Sequence, residues 1–396
     1  MLPPTRYDLI RPDPTGSAHA TPSKEPPLTL KTDPASRLVA VVVTYNRLDK
    51  LKVTLARLLA HDPADLAAVV VVDNASTDGT GDWLAQQDGM TGAEGRLDVV
   101  TSPVNAGGAG GFEMGMRRAM EHHAPDWLVV MDDDARPEPD TLERFRTMDK
   151  AGWDAFAAAV YFPEGGICEM NRPSRNPFWS LKGFLKTARR GRNGFHIPHD
   201  AYEGGICPID VTSFVGFFVS AEAVRRVGYP DPQLFIYGDD SLYTLAMSRD
   251  GERIAFAPQL RFEHDFTTFS GSDGGQRFRP LWKVYYHHRN LLLLYRMAAG
   301  WLFWPALLVV LPKWLMKVRH HEGVRGAYLR LTAAAVRDGL TRRLGRTHAE
   351  VRALAGEELP RAAPLPGASR SGYRGDSGPE GSAPSPSGRA PAPARR

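Results

Sequence analysis

Long apolar runs alternate with leucine-spaced polar segments through the first third of this chain. RLVAVVVTYN, ending at Asn46, is a continuous β-branched run, the pattern of a strand buried on both faces of a parallel sheet. Leu51, Leu55, Leu58 and Leu59 then recur at helical spacing between Asp49 and Ala60. LAAVVVVDN predicts a second strand, and Asp78 to Gln87 a short helix that Thr77 or Asp78 can cap. RLDVVTS predicts a third strand, Gly108 to His122 a helix, and DWLVVMDDD a fourth strand. A βαβαβαβ run of this period predicts an α/β fold with a doubly wound, largely parallel sheet, whose ligands lie at the carboxyl ends of the strands. Beyond Lys150, AFAAAVYF and IDVTSFVGFFVS read as strands separated by a long basic loop. Ser220 to Val227 and Asp239 to Arg249 read as helices, and RIAFAPQLRFEH as further short strands.

Composition changes this picture mainly at the ends. Residues 1–36 are Pro-rich and aperiodic, which predicts an extended arm ahead of an α/β domain over 37–270. Residues 359–396 are mostly Pro, Gly, Ala, Ser and Arg, a tail that cannot bury enough apolar surface to order itself. Between them, 271–358 reads as a basic, aromatic helical region that serves as a membrane-interface or acceptor-binding element. The net charge is only +4, but it is unevenly spread: no acid lies between Asp273 and Glu322, nor from Asn171 to His199. Such basic stretches favour anionic partners. Nucleic acid is excluded as that partner because no RNA-binding module accompanies them.

Two cysteines, Cys168 and Cys207, support neither a disulfide framework nor a zinc knuckle, and a reduced cytosolic setting is expected. No apolar secretory core is visible near the start. The one membrane-like stretch, Ala298 to Pro312, is too short and too Pro-interrupted to span a bilayer. Trp301, Phe303, Trp304 and Trp314, backed by Lys313 and Lys317, suit an element lying in the interface; a core helix is the alternative.

The chemistry gathers at the strand ends. Asp132, Asp133 and Asp134 follow directly on the apolar run Trp127 to Met131. Three carboxylates so close repel one another, and protonation, hydrogen bonding or a cation must relieve them. Mg²⁺ or Mn²⁺ suits carboxylate oxygens and accepts diphosphate as a further ligand. An acidic loop start is the alternative. The other predicted strands also end in polar residues: Thr44, Asn46 and Arg47, then Asp73 and Asn74, then Asn105. That alignment is expected if one ligand lies across the edge of the sheet. NAGGAGGFEMG, with Gly107 and Gly108, is glycine-dense at a strand-to-helix junction, where backbone N–H groups can hold an anion or where close packing demands small residues.

VVVTYNR, VVDNASTDGT, the strand-borne DDD and the later FIYGDD together resemble the inverting glycosyltransferases of family 2, over roughly Leu38 to His264. The resemblance implies a GT-A fold, with a mixed, mostly parallel sheet between helices and a helical basic C-terminal region. It puts Asp132 and Asp134 in the ligand positions of the family's metal-binding motif, Asp73 on the nucleobase with Arg47 nearby, and Asp240 in the place of the general base beside Asp239. Thr44, Asn46, Asn74, Asn105, Gly107, Gly108 and Asp133 complete the implied nucleotide-sugar site. NAGGAGGF, DDDARP, LFIYGDDSLY, RFEHDF and YYHHRN narrow the resemblance to the galactofuranosyltransferases, in which a histidine joins the two aspartates on the metal; His264 occupies that place. A short N-terminal segment makes the chain similar to the initiating type, which acts on a polyprenyl-diphosphate-linked glycan. The resemblance therefore implies a Mn²⁺- or Mg²⁺-dependent enzyme at the cytoplasmic face of the plasma membrane, with UDP-galactofuranose as donor. The alternatives are a rhamnosyltransferase using dTDP-rhamnose and a non-catalytic sugar-nucleotide-binding scaffold.

Overall fold

The computed structural model describes residues 36–87, 95–266 and 277–357. The expected arm, but for Ser36, and the expected tail lie outside the described residues.

Seven fully buried residues form the first strand, β1 (Leu38–Thr44). It leads through α1 (Leu48–Leu59), β2 (Ala68–Asp73), α2 (Thr80–Gln87), β3 (Leu97–Thr101) and α3 (Gly107–His122) to β4 (Trp127–Asp132). Next come β5 (Ala135–Pro137), α4 (Thr141–Thr147), β6 (Ala155–Tyr161), α5 (Leu181–Arg190) and α6 (Arg192–Phe195). β7 (Cys207–Ile209), β8 (Phe217–Ser220), α7 (Ala221–Val227), α8 (Asp239–Arg249) and β9 (Ile254–His264) complete the α/β part. Four more helices follow: α9 (Lys283–Ala299), α10 (Phe303–Met316), α11 (Arg325–Leu340) and α12 (His348–Ala355).

Among the described residues, nine strands join one mixed sheet in the order β3-β2-β1-β4-β8-β6-β9-β5, with β7 also paired to β9. Most paired residues lie in the parallel ladders β1–β2, β1–β4, β2–β3 and β6–β9. Alternation along β1 splits the core. Val39, Val41 and Val43 pack on one face with Phe112 and Met116 of α3, whereas Leu38, Ala40 and Val42 pack on the other with Leu51, Leu55 and Leu58 of α1. A Cβ at Gly111 or Gly115 would lie 2.4 Å from a methyl of Val43 or Val41. The glycines therefore let α3 settle directly on the sheet.

The first four strands stand where the apolar runs place them, but the fourth ends at Asp132, and Asp133 and Asp134 turn away from it. Three further expectations are corrected. IDVTSFVGFFVS is not one strand: β7 and β8 are separated at Gly216, whose positive φ of 66° breaks the pleat. RIAFAPQLRFEH is a single strand, β9, whose register against β6 shifts between Ala158 and Ala159; Pro258, which cannot donate to a ladder, falls in that bulge. The long basic loop holds α5, started by the Ser180 side chain, which accepts from the Gly183 N–H.

Candidate active site at the carboxyl edge of the sheet

The parallel registers Thr44↔Asp73 and Val43↔Asp132 bring the ends of β1, β2 and β4 level. β5 then returns the chain antiparallel to β9, with Ala135 opposite His264. This pairing sets His264 against the aspartate turn from 130 residues downstream. One carboxylate oxygen of Asp132, one of Asp134 and one ring nitrogen of His264 lie within 4.8 Å of one another. Two hard oxygens and an imidazole fit a Mn²⁺- or Mg²⁺-like cation.

The charges around this group interlock. Asp133 accepts from Thr44 Oγ1 at 2.7 Å and from Arg47 Nη1 at 3.3 Å. Asp134 is shared: its Oδ2 takes Arg47 Nη1 at 2.6 Å, while its Oδ1 faces His264 Nε2 at 3.2 Å. Thr54 of α1 braces the turn from behind, donating to the Asp133 carbonyl. Burial and the neighbouring Asp134 charge push the Asp132 carboxyl up to about 7, and burial pushes Asp133 up to about 6. Burial also acts on Asp134, but the bond and charge of His264, with Arg47, hold it below the usual carboxylate range. Burial opposes protonation of His264, yet Asp134, Cys168 and Asp132 raise it to about 10. Burial and crowding thus push two of the carboxyls up, while Asp134 is balanced by Arg47 and His264.

The polar residues on the neighbouring strand ends are gathered on the same edge, several of them in structural bonds. Asp73 is 2% exposed and accepts from the Ser76 N–H, while Asn46 Oδ1 accepts from the Thr77 N–H. Asp78 ties two helix starts together, accepting from the Thr80 N–H and the Leu48 N–H. Asn74 receives the Ala106 N–H and donates to the Gly107 carbonyl and to Asn105, which in turn caps the Gly107 N–H. Asn74 and Asn105 thus hold the glycine loop in shape. Gly107 has φ 72°, and a Cβ at Gly108 would lie 4.0 Å from Asp239 Oδ2. Asn46, Arg47, Lys50, Asp78 and Asp134 line a cavity of about 490 Å³ on this edge.

Asp239 and Asp240 open α8 behind Gly238, which has φ 76°. Burial raises both carboxyls above the usual range, and the Asp240 charge adds to Asp239. Asp239 also feels the charge of Asp132, which places the pair beside the first group. The preceding loop is strained, with Phe235 at φ 66° and Tyr237 at φ 69°. It is held by the Arg289-Asn290 pair of YYHHRN on α9. Asn290 Nδ2 reaches the carbonyls of Leu234, Ile236 and Tyr237, and Arg289 those of Gln233 and Leu234. Asp240 opens into a second cavity, of about 700 Å³. It is lined by the basic Arg175, Arg192 and His196 and by the apolar or aromatic Phe178, Leu294 and Tyr295, among others.

Three residues of the site escape a sequence reading. Asn171 and Cys168 sit behind His264, with Asn171 Oδ1 at 2.8 Å from His264 Nδ1. Lys283 has its ammonium pushed below the usual lysine range by burial and by Arg47, and it has no carboxylate partner among the described residues. Only its place just ahead of YYHHRN could have signalled it.

The family described as Glycosyl transferase family 2 matches residues 39–220. The galactofuranosyltransferase GlfT1 of Mycolicibacterium smegmatis is 30% identical over 203 residues, 51% of this chain and 62% of that protein. The undecaprenyl-phosphate mannosyltransferase of Micrococcus luteus is 35% identical over 108 residues, 27% of this chain and 42% of that protein. The chain thus spans less than two thirds of the length of these curated relatives. Among solved structures, the mannosyltransferase PcManGT from Pyrobaculum calidifontis in complex with GDP-Man and Mn²⁺ is 18% identical, with 84% of this chain and 83% of that chain covered and a TM-score of 0.44. The segment 39–220 carries Thr44, Asp73 and the Asp132–Asp134 turn, so the residues gathered on the carboxyl edge lie in the part of the chain that is similar to glycosyl transferase family 2.

Proposed function

We propose that this protein transfers galactofuranose from UDP-galactofuranose, with inversion, to a hydroxyl of a polyprenyl-diphosphate-linked glycan. The observation that carries the reading is the opening of Asp240 into the 700 Å³ cavity beside the Asp132–Asp134–His264 group. A lining that combines basic with apolar side chains suits an anionic lipid headgroup with its chain. The relatives' names, a galactofuranosyltransferase and an undecaprenyl-phosphate mannosyltransferase, support the donor and the acceptor class.

Each residue then has a task. Asp132, Asp134 and His264 hold Mn²⁺ or Mg²⁺, which as a Lewis acid stabilises the departing diphosphate when bound. Arg47 and Lys283 add positive charge on the nucleotide side, and Asp73 and Asn74 meet the nucleoside. The acceptor oxygen attacks the anomeric carbon opposite the bond to UDP, Asp240 takes the hydroxyl proton, and that bond breaks with its electron pair leaving on the diphosphate. One base and one displacement give an inverted product. Asp239, raised by burial and by the Asp240 charge, keeps its proton beside the ionised base.

α10 bears on location. The helical stretch Lys283–His320 is long and apolar enough to cross a membrane. However, α9 buries Arg289 and Asn290 inside the protein, and Gly300 (φ 56°) breaks the helix before α10. The 14 residues of α10 reach about 21 Å, short of a ~30 Å hydrocarbon core. A peripheral position at the cytoplasmic face follows from this reading.

The test is purified protein with Mn²⁺, a polyprenyl-diphosphate glycan and a panel of UDP-galactofuranose, dTDP-rhamnose and GDP-mannose. Mass analysis should show one hexose added from UDP-galactofuranose and none with Asp240→Asn. Transfer from dTDP-rhamnose alone, or undiminished transfer by the variant, would remove the donor or the base assignment respectively.

A further inference from the structure

Asn171 belongs to none of the motifs above, yet it is 5% exposed and fully engaged at the back of the site. It ends a 3₁₀ turn (Glu169–Asn171) that is pinned to β6 by the Cys168 N–H donating to the Val160 carbonyl. Its Oδ1 receives His264 Nδ1 at 2.8 Å and Cys168 Sγ at 3.0 Å, and its Nδ2 donates to Ser213 Oγ at 2.9 Å. An amide oxygen only accepts, so the Nδ1 that faces it carries the proton. A neutral imidazole protonated there keeps its lone pair on Nε2. Nε2 is the nitrogen that faces Asp134. Asn171 and Ser213 also line the cavity into which Asp240 opens, so the same side chain touches both halves of the site.

We infer that Asn171 is the positioning residue of the Asp132–Asp134–His264 group: it holds the proton on Nδ1, turns Nε2 towards the carboxylates, and ties that orientation through Ser213 to the wall of the Asp240 cavity. The inference rests on the proposed reading of that group as a divalent-cation site. A partner of this kind fixes both the tautomer and the rotation of a ligand imidazole, and its loss weakens cation binding without removing a ligand. A merely structural asparagine would be replaced with a stability cost and no particular effect on cation affinity.

The experiment is Mn²⁺ titration of the full chain in the presence of UDP, followed by the paramagnetic resonance of free Mn²⁺, with melting curves in chelator alongside. His264→Ala is the control that removes a ligand. Asn171→Ala is expected to weaken Mn²⁺ by about 10–100-fold, whereas Asn171→Asp, which still accepts from Nδ1, should stay within about threefold of the parent. Ser213→Ala, which leaves His264 and its acceptor intact, should weaken Mn²⁺ by only a few-fold. Asn171→Ala binding as tightly as the parent while His264→Ala does not would overturn the inference and leave the cation reading standing. Equal losses in Asn171→Ala and Asn171→Asp would overturn it as well. Should the parent and His264→Ala titrate alike, the cation reading itself falls and this inference with it. If Asn171→Ala melts before it can be titrated, Asn171→Leu, which keeps the volume and removes the acceptor of His264 Nδ1, takes its place under the same criteria.

Discussion

Gly107 and Phe235 touch across the site: a Cβ added at Gly107 would lie 2.1 Å from the Phe235 carbonyl oxygen. That same carbonyl accepts the Ala109 N–H, so the start of α3 and the loop leading to Asp239 are bonded together. The glycine motif therefore does more than pack a helix against the sheet. It sets the distance between the aspartate turn on β4 and the carboxylate pair on α8.

Replacing Gly107 with alanine forces a side chain into backbone atoms at a positive φ. The conformation alone costs about 1–3 kcal/mol, and relief requires the Phe235 loop to move. A lowered melting temperature together with at least a tenfold loss of sugar transfer is expected, read by calorimetry and product assay. An alanine variant with parental turnover would show that Asp239 and Asp240 are not placed through this contact.

Asn290 grips that loop from the other side. Asn290→Ala leaves the carbonyls of Leu234, Ile236 and Tyr237 without this donor, at a cost on the order of 1–3 kcal/mol for buried acceptors. Phe235 and Tyr237 are strained, so the loop is expected to relax when released. Turnover should fall more than UDP affinity does, because the carboxylate pair moves while the β1–β4 edge stays. Calorimetric UDP binding measured beside kcat separates the two; a loss confined to UDP binding would contradict this placement.

How much of this was legible in the sequence follows from range. β1, β2 and β4 declare themselves because each is a local apolar run buried on both faces, and β3, half-exposed at the edge of the sheet, does so through its β-branched Val99, Val100 and Thr101. β5 has three residues and no pattern of its own; only its pairing with β9 makes it a strand, and that pairing delivers His264. The aspartates and His264 could be named through resemblance. Asn171 could not, since a single asparagine in a loop carries no period and its partner lies 93 residues away.

Asp239 allows the proposed chemistry to be weighed against stability. Its folded pKa is raised by burial and by Asp240, so the native state holds a proton that the unfolded chain has already released. The contribution of this group to stability is therefore present below about pH 4 and is lost as pH rises through the shifted value. Asp239→Asn cannot titrate and should melt at a higher temperature than the parent at pH 8, with the difference vanishing near pH 4. The Asp240 carboxyl is also raised, so kcat/KM of the parent should climb with pH on an acid limb above the ordinary carboxylate range. A parent protein that is equally active at pH 4 and pH 8 would exclude Asp240 as the base.

α5 is a ten-residue helix in which no residue is buried. Leu181 is 74% exposed and shares a face with Phe184 and Leu185, while Lys182, Lys186, Arg189 and Arg190 fill the remainder. α10 repeats the theme, with Trp304, Leu308 (79% exposed) and Leu315 outward and Lys313 among them. Phe178 connects the two: it packs beside Phe303, Leu307 and Trp314, and its ring centroid is 6.1 Å from that of Phe184. It also lines the cavity holding Asp240. Amphipathic basic helices lie in the headgroup layer of anionic bilayers, and placing α5 and α10 there would set the cavity at the surface from which the proposed lipid-linked acceptor enters. Vesicles of phosphatidylglycerol and phosphatidylcholine should therefore sediment the protein, and pure phosphatidylcholine should not. Phe184→Glu with Leu185→Glu, and separately Trp304→Glu with Leu308→Glu, should each release the protein while transfer to a short-chain, water-soluble acceptor persists. Sedimentation unchanged in both variants would mean that these faces meet something other than lipid, and a second copy of the chain would then show as a larger species in light scattering that the same substitutions dissociate.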